Sequence, residues 1–243
     1  MPWIIAHRGA SDDEPENTLR AFRRAIELGA DIVELDVHLS RDGHVVVIHD
    51  DDVARTTDGT GEVPSLTLGE LRRLNAGKGE RIPTLQEVID LVRGRCRLYV
   101  ELKGEGTPEA VIQILRANRF EAQAILGSFR KSMILEAKAR LPMIPTSLLV
   151  GPGVEDPVTE AQGAGASYVH LCWERRSNNP AEFLTADLLA RIRSRGLGVI
   201  LWHEERTHVI EALRGVDVDG VCSNRPELLL ALKQSDGTSA WNR

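Results

Sequence analysis

Apolar residues recur along this chain with two alternating periods. Short runs rich in Val, Ile and Leu are separated by longer stretches in which apolar residues return every third or fourth position, which predicts βα units around a parallel sheet. The predicted strands are Trp3–His7, Ile32–His38, Val45–His49, Arg97–Lys103, Ala124–Ser128, Met143–Val150, Ser167–Trp173, Leu197–His203 and Gly220–Cys222. Helices are predicted between most of them, at Thr18–Leu28, Leu85–Arg93, Pro108–Arg119, Lys131–Arg140, Ala186–Ser194 and Thr207–Leu213. Several stop at a glycine, as helix ends favour.

This count exceeds the eight strands of a closed barrel by one. The second and third strands are joined only by Ser40-Arg41-Asp42-Gly43-His44, whereas a parallel crossover takes about a dozen residues or more. They must therefore pair as an antiparallel hairpin. Asp42-Gly43 is a favoured hairpin turn, and a two-residue or four-residue loop there places His49 opposite Asp36. With Val45–His49 set aside, the predicted fold is a TIM (β/α)8 barrel carrying a β-hairpin extension. An open doubly wound sheet is the alternative. Residues 50–83, rich in Asp, Thr, Gly and Arg with one helical patch at Leu68–Leu74, form too long a connection to be a plain loop and read as an inserted lid over the barrel mouth. The tail Ser235–Arg243 is polar and aperiodic and reads as mobile. No internal repeat is visible, so 1–243 is taken as a single domain.

Composition narrows the class of protein. A chain of 243 residues buries about 70–75% of the surface its unfolded form exposes, enough for a core without disulfides or a structural metal. A net charge of −6 is the wrong sign for a nucleic-acid footprint. No apolar run approaches the roughly 20 residues of a membrane span, and Met1-Pro2-Trp3 leads straight into a strand, so the expected compartment is cytoplasmic. Cys96, Cys172 and Cys222 are widely spaced beside apolar segments and read as buried thiols. Oligomeric state is not legible.

In such a barrel the active site forms at the C-terminal ends of the strands. Ionisable residues collect there: His7-Arg8 after the first strand, Glu34 and Asp36 on one face of the second, His49-Asp50 at the end of the hairpin, and Glu101 and Lys103 on one face of the next. Carboxylates so placed must be paired or metal-bound. Glu34, Asp36 and Glu101 suit a hard divalent cation, Mg2+ or Ca2+, over zinc; an ion-pair cluster with Arg8 and Lys103 is the bland alternative. His7 and His49 fit a base that activates a nucleophile and an acid that protonates a leaving oxygen, as a phosphodiester requires. Arg8 and Lys103 add charge for phosphate oxygens. Trp202 is a candidate wall for a glycerol backbone, His170 reads as interior packing or a substrate contact, and Asn17 reads as a helix cap.

These residues sit within a longer series: His7-Arg8-Gly9, Pro15-Glu16-Asn17-Thr18, Glu34-Leu35-Asp36-Val37, His49-Asp50, Arg55-Thr56-Thr57-Asp58-Gly59-Thr60-Gly61, Ile82-Pro83-Thr84-Leu85 and Glu101-Leu102-Lys103. In that order over the first ~110 residues, the series resembles the glycerophosphodiester phosphodiesterase family, whose fold is a TIM barrel with a small insertion. The resemblance implies His7 and His49 as the acid–base pair, Glu34, Asp36 and Glu101 as metal ligands, and Arg8 and Lys103 as phosphate contacts. It implies hydrolysis of glycerophosphodiesters to glycerol 3-phosphate and an alcohol, by direct water attack or through a cyclic phosphate. A phospholipase D-like or cyclic-phosphodiester hydrolase and a non-catalytic metal or phosphodiester binding module are the rival expectations. The later half departs from the pattern at His203-Glu204-Glu205 and at Asn224, and those acidic residues raise the expectation of a cationic head group beside Glu205.

Overall fold

In the computed structural model, which describes residues 1–233, the β-branched runs form nine strands: β1 (Trp3–Ala6), β2 (Ile32–Leu39), β3 (Val45–Val47), β4 (Arg97–Leu102), β5 (Ala124–Ser128), β6 (Thr146–Val150), β7 (Tyr168–Leu171), β8 (Gly198–His203) and β9 (Gly220–Ser223). Eight are parallel. They pair in the order β1-β9-β8-β7-β6-β5-β4-β2, and β1 returns to β2, closing the barrel. The ninth, β3, is the antiparallel arm of the expected hairpin on β2. The open doubly wound sheet is thereby excluded. The tail 235–243 lies outside the described residues.

The strands alternate two apolar faces. Ile5, Ile32, Tyr99, Ile125, Leu149, Ile200 and Cys222 point inward and fill the barrel, whereas neighbours such as Ile4, Val33, Val100 and Leu126 face the surrounding helices. A parallel strand buried on both sides needs this near-continuous apolar run. The helices have conventional starts: Thr18 caps α1 (Leu19–Glu27), and Thr84 with Glu87 forms a capping box on α3 (Leu85–Val92), which follows the short α2 (Leu68–Leu71). All three cysteines are free thiols, two buried and Cys172 partly so.

The hairpin differs from expectation in register. Its loop has three residues, Arg41-Asp42-Gly43, closed by Ser40 N–H to His44 O at 2.9 Å. Gly43 takes a left-handed φ of +83°, the conformation a three-residue hairpin loop asks of its last position. An odd loop shifts the pairing by one, so Ile48 N–H bonds Asp36 O and Ile48, not His49, stands opposite Asp36. His49 follows the strand end and reaches the barrel mouth from outside the ladder.

Residues 50–83 build a small satellite core of their own. Val53, Val63, Leu71, Ala76 and Ile82 pack on Val46 and Ile48 of the hairpin, and a bridge between Asp52 and Glu62 ties the segment together. The insertion is thus anchored on the arm that delivers His49.

Candidate active site

The first strand ends in a sharp turn that sets most of the site. His7 extends β1 by one bond, its N–H donating to Ser223 O at 2.8 Å. Arg8 and Gly9 then both take positive φ, +57° and +84°. A Cβ on Gly9 would lie 2.7 Å from the Ala21 backbone, so only glycine fits there. The turn aims the Arg8 N–H at Glu34 Oε2 (2.8 Å) and its guanidinium at Asp36 Oδ2 (3.3 Å) and Glu16 Oε1 (3.0 Å).

Parallel pairing brings the three predicted carboxylates together. Asp36 on β2 is in register with Glu101 on β4, and Glu34 lies two residues back on the same face. One carboxylate oxygen from each lies within 4.8 Å of the others, and all three residues are buried. Burial, then repulsion from Asp36 and Glu101, pushes the Glu34 carboxyl well above its usual range. Burial and Asp36 likewise raise Glu101 to about 7, against the pull of Lys103. Burial also opposes ionisation of Asp36, but Arg8, Lys103 and His49 together outweigh it and hold this carboxyl low. Lys103 Nζ stands 3.1 Å from Glu101 Oε1 and 3.6 Å from Asp36 Oδ1. Two cations thus face three carboxylates. Asp36 Oδ1 is buried without a hydrogen-bond partner, which is the mark of a donor set that ion pairing alone does not satisfy.

The two predicted histidines flank this cluster in different settings. His7 Nδ1 donates to Asn224 Oδ1 at 2.6 Å, which leaves Nε2 as the basic nitrogen. Burial, with Arg8 and His203 adding repulsion, lowers His7 to about 3, so it is neutral at physiological pH. His49 Nδ1 donates to Asp50 Oδ1 at 2.5 Å, and Lys103 Nζ stands 2.9 Å from its Nε2. Asp50 is itself gripped by Arg55, whose other nitrogens donate to both oxygens of Glu16 at 2.8 Å. A chain of ion pairs therefore runs from the insertion to Arg8. The predicted Trp202 lines the same cleft of about 300 Å3, together with both histidines, Glu34, Glu101 and His170.

Several partners lay beyond the sequence. Asn17 does not cap α1; that role falls to Thr18. Asn17 takes a left-handed φ of +57° and grips Asp36 from both sides, Nδ2 donating to Oδ2 (2.9 Å) and Oδ1 accepting from the backbone N–H (3.3 Å). On the opposite wall the His203 ring stacks on His7, 4.7 Å between centroids, between Glu174 and Glu205. Glu205 does not present a free carboxylate for a cationic head group, because its Oε1 accepts from Asn224 N and Ser223 Oγ while Oε2 faces His203. Glu204 is buried and holds the loop after β8 by accepting from Trp202 Nε1 and Arg206. Nothing local in the sequence marked these contacts, since each partner is fixed by where the strand ends meet.

Comparison with known proteins places this arrangement. A model of the glycerophosphoryl diester phosphodiesterase family matches residues 7–228. The chain is 36% identical to a glycerophosphodiester phosphodiesterase of Caldanaerobacter subterraneus, over 96% of this chain and 98% of that one. It is 35% identical to a putative one of Bacillus subtilis, over 94% and 96%. Among solved structures, a glycerophosphodiester phosphodiesterase of Agrobacterium tumefaciens superposes with a TM-score of 0.84 at 30% identity, covering 94% of this chain and 99% of that one. An Oleispira antarctica phosphodiesterase in complex with the product sn-glycerol-3-phosphate superposes equally, TM-score 0.84, at 29% identity over 97% and 98%.

Proposed function

The chain belongs to the glycerophosphoryl diester phosphodiesterase family, and from that premise we propose how its cleft cleaves a glycerophosphodiester to glycerol 3-phosphate and an alcohol. The enzyme is a phosphoric diester hydrolase. What carries the assignment of roles is the unequal setting of the two imidazoles on either side of one carboxylate cluster.

His7, neutral and with Nε2 free of hydrogen-bond partners among the described residues, is the base. It takes a proton from the attacking oxygen, water or a substrate hydroxyl, as the new P–O bond forms. His49 is the acid. The Asp50 carboxylate on Nδ1 orients the ring, and Nε2 delivers the proton to the leaving oxygen as the old P–O bond breaks and its electron pair departs with the alcohol. Arg8 and Lys103 hold the phosphate oxygens. Trp202 walls the glycerol end.

Glu34, Asp36 and Glu101 are the residues that would hold a divalent cation, Mg2+ or Ca2+, since all the donors are oxygens. When bound, such a cation supplies fixed positive charge against the charge that builds on the phosphate oxygens. Residues 50–83 act in this reading as a side wall that sets His49 through Arg55 and Asp50. The cleft rim favours a soluble diester over a bilayer lipid: Phe129 is the one large exposed apolar side chain lining it among the described residues, and Arg130 and Arg175 stand beside it. No helix of the described residues is long and apolar enough to cross a membrane.

The test is release of glycerol 3-phosphate from glycerophosphocholine and glycerophosphoethanolamine, with chelator and after separate return of Mg2+ or Ca2+. Metal-restored release is expected. Glu101→Gln is expected to weaken calorimetric metal affinity by at least about tenfold, the low end of what even outer-sphere changes cost, while leaving the thermal midpoint of the metal-free protein unchanged or higher. Full activity in chelator would remove the metal from the reading.

A further inference from the structure

The His7 ring is held on two sides by residues at the ends of β8 and β9. Ile5 points into the barrel, so His7, two positions on, faces the same way. Simple alternation from the inward Ile200 would present Trp202 and Glu204 on that face, but the pairing of β8 with β9 slips by one residue. Leu201 is opposite Val221, and His203 is opposite Cys222. Trp202 is the extra residue of this bulge, and a bulge re-aims the side chains that follow it. His203 and Glu205 thereby come to the face that carries His7 and, at the end of β9, Asn224. We propose that Glu205 is a positioning residue for the base, holding His7 through Asn224 on one side and through the His203 ring on the other. The proposal deepens the reading of His7 as the base and rests on it.

The first route runs through the backbone. Glu205 Oε1 accepts from Asn224 N–H at 2.7 Å and from Ser223 Oγ at 3.4 Å. Ser223 Oγ in turn accepts from Arg225 N–H at 3.0 Å, so one carboxylate oxygen pins the turn that follows β9. Asn224 Oδ1, carried by that turn, is the acceptor for His7 Nδ1 at 2.6 Å. Burial opposes ionisation of Glu205, but His203 and the Asn224 N–H outweigh it and hold the carboxyl low. The bond from Asn224 N–H is therefore a charge-assisted one, among the stronger kinds.

The second route is the stack. The His7 and His203 rings are parallel to within 2°, with 4.7 Å between centroids. Glu205 Oε2 faces His203 Nδ1 at 3.6 Å, and Glu174 Oε1 faces Nε2 at 3.8 Å, so a carboxylate at each edge sets the plane of that ring. The hydrogen bond at Nδ1 fixes the rotation of the His7 ring, and the stack fixes its tilt. Together they set where Nε2 stands in the cleft that His7 lines. Glu205 acts on both, and a group that must meet an attacking oxygen in line depends on such support.

The experiment compares Glu205→Met and Glu205→Gln, each alone and combined with His7→Ala, on glycerophosphocholine in the metal-loaded enzyme. Met keeps the length of the side chain and removes both acceptor oxygens, whereas Gln keeps an acceptor for the Asn224 N–H. Glu205→Met is expected to lower kcat about tenfold or more with KM changed by less than about twofold, and Glu205→Gln to lose no more than about threefold in kcat. In the His7→Ala background no base is left to seat, so Glu205→Met is expected to change the residual kcat by less than about twofold, the non-additivity of residues that act as a unit. Equal losses in the Met and Gln variants, an unchanged kcat in Glu205→Met, or a loss as large without the His7 ring as with it would overturn the proposal. Glu205→Ala is read in place of Glu205→Met if the latter loses its cooperative thermal transition. Unimpaired turnover by His7→Ala alone is a different result, which would remove the base on which the proposal rests, and absence of turnover by the unmodified enzyme would remove the hydrolytic reading itself.

Discussion

His7 and His49 are held at Nδ1 by different acceptors: an amide oxygen holds the first, a carboxylate the second. The first is buried and neutral on its amide partner, and the second donates to a carboxylate, the settings proposed above for base and acid. The consequence is measurable with leaving groups of different basicity. A nitrophenolate departs without a proton, so His49→Ala is expected to lose about a hundredfold or more on an alkyl ester but far less on the nitrophenyl ester of glycerol 3-phosphate, while His7→Ala loses about as much on both. Equal losses in the two variants would reverse or abolish the division of labour. At this scale the sequence was a good guide to which side chains carry charge at the strand ends and a poor one to what holds them. Asn17 shows why. Beside Thr18 it looks like a cap, because capping is a local preference; its real partner, Asp36, is brought to it only by the closure of β1 on β2.

Elements were legible in kind and less so in detail. The eight barrel strands and their hairpin followed from apolar periodicity and from the short link between β2 and β3. Strand ends moved by up to three residues, as at Met143, which is exposed ahead of β6. The short helix at Pro157–Gly163 was missed although Asp156-Pro157 and Glu160 form a helix start, because its small residues give little apolar signal. The hairpin register failed for a physical reason: loop length sets register, and loop length is not written in the turn dipeptide. Two glycines separate the costs of backbone and packing. Gly43 has open space where a Cβ would go, so Gly43→Ala is expected to cost about 1 kcal/mol from its left-handed φ alone. In Gly9→Ala the same conformational cost is joined by the clash with the Ala21 backbone, and about 3 kcal/mol or more is expected. Urea midpoints of the two variants check both figures.

For the molecule as a whole, the apolar layer of the barrel beneath the carboxylates is closed to charge. His170 is buried among the inward strands with its Nδ1 3.1 Å from the Tyr99 hydroxyl, and burial, reinforced by His203, lowers it to about 3. An unfolded chain binds a proton at this residue below about pH 6.5, while the folded one does not until near pH 3. Stability is therefore complete above pH 6.5 and declines as pH falls toward 3, by up to about 1.4 kcal/mol per pH unit from this group. His170→Gln is expected to flatten the decline in urea midpoint over that window; an unchanged slope would place the acid sensitivity elsewhere.

The first strand also has two neighbours that are far apart in the chain: β1 pairs with β2 through Ile5 and Ala6 and with β9 along its whole length. His7 receives its partner Asn224 from 217 residues downstream. On the ribosome, then, the strand that carries the base waits until β9 is made before its second edge is covered. Until β9 emerges, β1 and β8 are bare edges open to pairing with other chains. A translation product that stops before β9 would carry every proposed metal ligand and both imidazoles and still lack a seated base, so catalytic competence waits on a residue made 217 positions after the base itself.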